Sequence, residues 1–222
     1  MFTSKKFCYI FGSAEAVLPS EAINGVTRNP ENLYIAADRG FVSMKALGLS
    51  PDVILGDFDS CPLTDEMRSC GAEIIRHPVE KDDTDLMLAI KLGLYRGYTE
   101  FIIVGCLGGE RFDHSIATVQ SLAYVADAGG IAYAYGKGEN GSLICATVIK
   151  NGLIELKARD SGYVSVFALT DKAEGVSITG LRYELTGASL TSSFPLGVSN
   201  AFVGKNAAVT VENGAILIIY NQ

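Results

Sequence analysis

The stretch FIIVGCLGGERFDHSIATVQSLAYVADAGG, Phe101 to Gly130, runs from an apolar segment through three glycines into an amphipathic one. Its opening FIIV is apolar at every position, as in a strand covered on both faces. Beyond Gly105, Gly108 and Gly109, residues Ile116, Val119 and Ala123 recur along one face of a helix. A strand that enters a helix through a glycine turn is the repeating unit of an α/β fold. It predicts a parallel sheet with ligands at the carboxyl ends of the strands.

Working outward, FCYIF, LYIAA, VILG, EIIR and IAYAY are short apolar runs of the same kind, each bounded by Gly, Asp, Asn or Pro. Between them, DDTDLMLAIKLGLYRG places Leu86, Ala89, Ile90, Gly93 and Leu94 on one helical stripe, with Asp82 to Asp85 at its start. The first part therefore reads as a mostly parallel, Rossmann-like sheet flanked by helices. After GKGENGS the helical period stops. LICATVI, LIELKA, YVSVFAL, VSITGL, AAVTVE and AILIIYN predict a smaller all-β sandwich or a flattened barrel. The expected boundary lies near Gly138, giving an α/β domain over 1–138 and a β domain over 139–222.

With 48% hydrophobic and 19% charged residues, the 222-residue chain is globular in composition. A formal net charge of −7 without a Lys/Arg cluster argues against a nucleic-acid partner. The early apolar run is broken by Gly12 and Glu15, so it reads as a strand, not a signal or membrane span. The five cysteines show no C-x-x-C spacing, which argues against a zinc site or disulfide framework. A cytoplasmic protein is the expectation. Cys106, without an evident base nearby, reads as packing and not as a nucleophile.

The acidic residues fall at strand ends. Asp38 follows LYIAA, Asp57 and Asp59 follow VILG, and Asp85 opens the helix after EIIR. Two carboxylates about 4 Å apart repel by roughly 4 kcal/mol at an effective dielectric near 20, so four on one sheet edge call for a neutralising cation or for some to stay protonated. An all-oxygen ligand set points to a hard ion, Mg²⁺, which shares its coordination with substrate phosphates. The glycines of VGCLGGERFDHS, the helix behind them and the planar fork of Arg111 suit such phosphates.

Taken in order, GDFDS, KDDTDLMLAI, GCLGGERFDHSIATVQSL, GLRYEL and PLGVSN resemble the motifs of the thiamin pyrophosphokinase family. The resemblance implies transfer of a diphosphate from ATP to the hydroxyl of thiamin, leaving AMP, by a homodimer with thiamin at the interface. It places Asp38, Asp57, Asp59 and Asp85 around Mg²⁺ and the polyphosphate. Gly108, Gly109 and Arg111 hold ATP phosphates, Asp113 and His114 close the same loop, and Lys81 and Thr84 line the pocket. Ser199 and Asn200 face thiamin from the second domain. Arg111 stabilises the transferring group, and either Asp59 or Asp85 accepts the hydroxyl proton. Arg39 stands where many relatives carry glycine, and with Trp absent the ring stacking on thiamin falls to a Phe or Tyr such as Phe194.

Three other readings share some of these features. A diphosphokinase for another heteroaromatic alcohol is disfavoured by the motif from Gly180 to Asn200. A non-catalytic sensor would not need a full set of mutually repelling carboxylates, and a metal phosphohydrolase would not need the second β domain.

Overall fold

The computed structural model describes residues 5–18, 29–59, 61–80, 82–109, 111–138 and 141–221. In its first part β1 (Phe7–Phe11), β2 (Leu33–Ala37), α1 (Gly40–Ala46), β3 (Val53–Gly56) and α2 (Asp65–Ser69) are followed by β4 (Glu73–Arg76), α3 (Asp85–Tyr95), β5 (Glu100–Leu107), α4 (Phe112–Asp127) and β6 (Ile131–Lys137). The rest is strand: β7 (Leu143–Lys150), β8 (Leu153–Leu156), β9 (Tyr163–Ala168), β10 (Lys172–Thr179), β11 (Leu185–Thr191), β12 (Gly197–Ala201), β13 (Ala207–Thr210) and β14 (Ala215–Asn221).

One ten-stranded sheet runs through both parts in the order β12-β9-β14-β7-β6-β5-β1-β2-β3-β4. Its β1-to-β6 portion is parallel throughout. From β6 onward it becomes antiparallel, beginning with Tyr133 opposite Thr147 and Tyr135 opposite Cys145. A second sheet, β11-β10-β13-β8, is wholly antiparallel. The protein is thus a mixed α/β structure whose second part extends the first sheet as well as building its own.

Strict alternation along the strands explains the layers. Cys8, Ile10, Ile35, Leu55, Phe101 and Ile103 point to one face and pack with Leu86 and Ile90 of α3 and Leu122 and Val125 of α4. Phe11, Tyr34, Ala36, Ile54 and Val104 point to the other. There they join Phe41 and Met44 of α1, Met67 of α2, and Ile154, Ile178 and Val209 of the smaller sheet.

In α3 the buried residues are those of the predicted stripe: Leu86, Ala89, Ile90 and Gly93. The buried face of α4 is rotated from the expected one: Val119 and Ala123 pack half-buried against the core, but they are not its centre. Ser115, Thr118, Ser121, Leu122 and Val125 are buried, while Ile116 is 48% exposed. Three hydroxyls can lie inward because each has a local partner: Ser115 Oγ accepts the Gly108 N–H, Thr118 lies against the Cys106 and His114 carbonyls, and Ser121 donates to Ala117.

Helix α1 begins where β1 ends, and the two backbones touch. A Cβ placed on Gly40 would lie 1.9 Å from the Phe11 carbonyl oxygen. Backbone cannot yield as a flexible side chain does, so Gly40→Ala is expected to destabilise the fold by roughly 1–3 kcal/mol or more in urea denaturation. A change within experimental error would show that α1 can move off the sheet freely.

Candidate active site

The carboxyl ends of β6, β5, β1, β2 and β3 lie side by side along one sheet edge. Asp38, next after β2, has a left-handed backbone with φ 52° and donates its N–H to the Leu55 carbonyl at 2.9 Å. This locks the β2 and β3 ends together. Phe58 also has a left-handed backbone, φ 62°, and its ring is buried in the core. Such a conformation costs a non-glycine residue roughly 1–2 kcal/mol, which burial of a phenyl ring offsets. The phenylalanine between Asp57 and Asp59 is therefore an anchor beneath a turn that presents two carboxylates. Within the turn the Asp59 N–H is donated to Asp57 Oδ1 at 3.1 Å.

Thr84 caps α3, its hydroxyl accepting the Met87 N–H at 3.1 Å, and this fixes Asp85 as the first helical residue. Opposite, Gly105 near the end of β5 and Gly108 and Gly109 just beyond it all have positive φ. The loop after β1 is sewn to the β5 end: Gly12 N–H bonds the Val104 carbonyl at 2.8 Å and Ala14 N–H the Gly105 carbonyl at 2.9 Å. A Cβ on Gly12 would lie 2.3 Å from Cys106 Sγ, and one on Gly105 2.6 Å from the Ala14 carbonyl oxygen. Glycine at both positions is what permits the seam.

These elements enclose a cavity of about 770 Å³. Asp38, Asp57, Asp59, Thr84 and Asp85 form one wall and Gly108, Gly109, Arg111 and His114 the other, with Gly12 to Glu15 along the seam. Arg39, the residue before α1, lines it as well. The four carboxylates and the glycine loop expected from sequence are thus brought to one place. Lys81 lies outside the described residues. Asp113 faces its neighbour: Arg111 Nε donates to its Oδ1 at 2.9 Å and the terminal nitrogen to Oδ2 at 2.6 Å. The hydrogen-bonded guanidinium holds the Asp113 carboxyl at about 2. Cys106 is pushed up to about 12 by burial, consistent with a packing role.

Ser199 and Asn200 do not line this cavity; they sit on β12, at the far end of the sheet. Asn200 is buried, and its amide joins Tyr183 and Ala201: Oδ1 accepts both N–H groups at 2.9 Å and Nδ2 donates to the Tyr183 carbonyl at 2.6 Å. Ser199 has φ 60° and donates its N–H to Ser165 Oγ at 3.2 Å.

Sequence reasoning passed over Glu15, Ser115 and Thr118. The hydroxyls of Ser115 and Thr118 hold the glycine loop from beneath, and the legible signal was their spacing of three on the helix that follows it. Among the described residues no three His, Cys, Asp or Glu side chains are already gathered as metal ligands. No helix among them is long and apolar enough to cross a membrane.

The thiamin pyrophosphokinase catalytic-domain model matches residues 27–131, and the model of that family's vitamin B1 binding domain matches residues 153–217. The chain belongs to the thiamin pyrophosphokinase family. Membership makes it a diphosphotransferase that uses ATP and thiamin. It is 24% identical to the thiamine pyrophosphokinase of Bacillus subtilis over 221 residues, covering 95% of each chain. Its fold is that of the crystallised Bacillus subtilis thiamine pyrophosphokinase, with TM-score 0.82, 23% identity and coverage of 98% of this chain and 99% of that one. The thiamin pyrophosphokinases of Geobacillus thermodenitrificans and Candida albicans share it with TM-scores of 0.78 and 0.75 at 22% and 14% identity. This chain is covered over 97% and 98%, and those chains over 97% and 89%.

The Arg111–Asp113 fork sets a pH dependence. Asp113 is depressed in the folded state, so the pair is complete at neutral pH and is lost only as pH falls through about 2. The Asp113 carboxyl carbon, followed by NMR, is expected to titrate there in the wild type and to move up toward the ordinary carboxylate range in Arg111→Met. An unchanged midpoint in the variant would show that another group depresses it.

Proposed function

We propose that the cavity at the sheet edge is where this chain transfers the diphosphate of ATP to the hydroxyl of thiamin. The observation that carries the reading is the facing of Asp38, Asp57, Asp59 and Asp85 across one cavity from a glycine loop backed by α4. Mg²⁺ fits this donor set: it is commonly held by one or two carboxylates plus substrate phosphates, so a ready-made cage of three ligands is not required. When bound to the aspartates it would supply charge neutralisation and orientation of the phosphates.

The side chains divide the remaining work. Arg111 offers a planar fork to phosphate oxygens and balances the charge spread over the transferring group. Gly109 holds a phosphate through its backbone, whereas Gly108 acts mainly by lacking a side chain, because its N–H is already donated to Ser115. His114 borders the same phosphates, Asp113 aims Arg111, and Thr84 completes the wall. As the thiamin oxygen bonds to the β-phosphorus and the bond to AMP breaks, Asp59 or Asp85 takes the hydroxyl proton.

The division into a Rossmann-like domain over 1–138 and a β-sandwich over 139–222 belongs to this reading. It is supported by the single change from parallel to antiparallel pairing at β6–β7 and by the shared core between the smaller sheet and β9 and β14. So does a homodimer. Tyr163, Tyr183, Phe194, Leu196 and Val198 are exposed on and beside the edge strand β12, where a second copy would cover them. In that arrangement Ser199 and Phe194 of the partner subunit reach thiamin, and Asn200 shapes the strand that carries Ser199. A cytoplasmic location fits the unpaired cysteines and the cytosolic supply of ATP.

Purified protein given ATP, Mg²⁺ and thiamin is expected to form AMP and thiamin diphosphate in equal amounts, resolved by chromatography. ADP with thiamin monophosphate would overturn the reaction type. Asp59→Asn is expected to lower kcat by roughly 10²-fold or more while the melting temperature stays within a few degrees. Full turnover in that variant, with Asp85→Asn inactive, would move the proton acceptor to Asp85.

A further inference from the structure

The cavity is lined by Asp38, Asp57, Asp59, Asp85 and Glu15 against Arg39 and Arg111, and Arg111, the arginine beside its glycine loop, is forked to Asp113. A polyphosphate settling on that loop meets a field that is mostly negative. A further cation stands next to it. Lys137 is the last residue of β6, and its carbonyl oxygen lies 3.7 Å from where a Cβ on Gly108 would sit. Its ammonium contacts both carboxylate oxygens of Glu15 at 3.0 Å. Glu15 lies in the loop after β1, and β5 lies between β1 and β6, so the ion pair arches over the strand end from which the glycine loop springs. Glu15 itself lines the cavity.

The pair is built to be exchanged. Its side chains are 49% and 68% exposed, and an ammonium held by a carboxylate in water is bound weakly. Phosphate oxygens, carrying more charge and presented on an already ordered loop, compete well for such a donor. We propose that Lys137 is a further binding residue for the diphosphate being transferred, and that Glu15 is a positioning residue which parks the ammonium beside the glycine loop until ATP displaces it. This rests on the reading of the cavity as the ATP site. Lysine suits the exchange better than arginine would: it is a compact point charge on a flexible stem, able to swing between partners without losing a bidentate fit.

The test is calorimetric titration of ATP and of AMP, with Mg²⁺ present, into the wild type, Lys137→Met, Lys137→Arg and Glu15→Gln, together with steady-state rates. Lys137→Met is expected to weaken ATP about tenfold and to raise its KM accordingly, with kcat changed less than about threefold. AMP, which lacks the diphosphate, is expected to bind within about twofold of wild type, and Lys137→Arg to recover most of the loss. Glu15→Gln is expected to act in the opposite sense, tightening ATP roughly two- to threefold by releasing the ammonium. Equal weakening by Lys137→Met and Glu15→Gln would overturn the proposal in favour of a strap that only stiffens the loop. Equal loss of ATP and AMP in Lys137→Met would overturn it in favour of a nucleoside contact. Unchanged ATP affinity in Lys137→Met beside a fully active wild type would sink this inference alone, whereas a wild type that binds no ATP would remove the nucleotide site and the inference with it.

Discussion

Carboxylates repel, and this fold gathers four of them on one sheet edge. The parallel order β1-β2-β3 fixes that crowding, because Asp38 and Asp57 leave adjacent strands in the same direction. What keeps the edge intact is backbone geometry bought by burial. Phe58 drops its ring into the core from a left-handed position, and Asp38 takes a left-handed position while bonding the Leu55 carbonyl. Two local rules are broken at the ends of neighbouring strands, at the place where charge is concentrated. Such clustering of unfavourable backbone conformations is the mark of a site whose surroundings over-determine it.

The opposite wall depends on the same edge. The glycine loop stands where it does because the loop after β1 is hydrogen-bonded to the β5 end, and side chains at Gly12 or Gly105 would force the two apart. Below it, α4 turns hydroxyls inward: Ser115 takes the Gly108 N–H and Thr118 reaches the Cys106 carbonyl. The loop is therefore gripped from the side by backbone and from beneath by a helix. Little rearrangement of the chain is then needed to order the loop around a phosphate.

Much of this was legible in the sequence, for identifiable reasons. Continuous apolar runs such as LYIAA and VILG are strands buried on both faces, and α3 is buried along its predicted stripe. The four aspartates stand out because each follows such a run or opens a helix. Helix α4 is rotated from its apolar stripe: Val119 and Ala123 still pack half-buried, but close approach to the β5 end selects the small hydroxyl residues one position before Ile116 and Val119. Helices α1 and α2 span seven and five residues, too short for a 3.6-residue period to declare itself. Strand β11, LTGASLT, has mostly exposed side chains and so carries no apolar alternation. Contacts between distant residues, such as Lys137 with Glu15, follow from strand order and leave no local trace.

The charged pairs around the cavity share one property, and it bears on how a site rich in carboxylates can admit an anion. Arg111 with Asp113, and Lys137 with Glu15, are all well exposed, while the buried polar groups nearby, Ser115 and Thr118, are neutral. A buried ion pair would resist exchange, since separating it strands a charge away from water. An exposed pair loses little when a phosphate replaces one partner, because water takes up the carboxylate that is released. The fold thus spends its rigid, buried interactions on placing backbone and leaves its cations on soft tethers. On the proposed reading, binding the polyphosphate is an exchange of partners at the surface, with the neutral hydroxyls that hold the loop left in place.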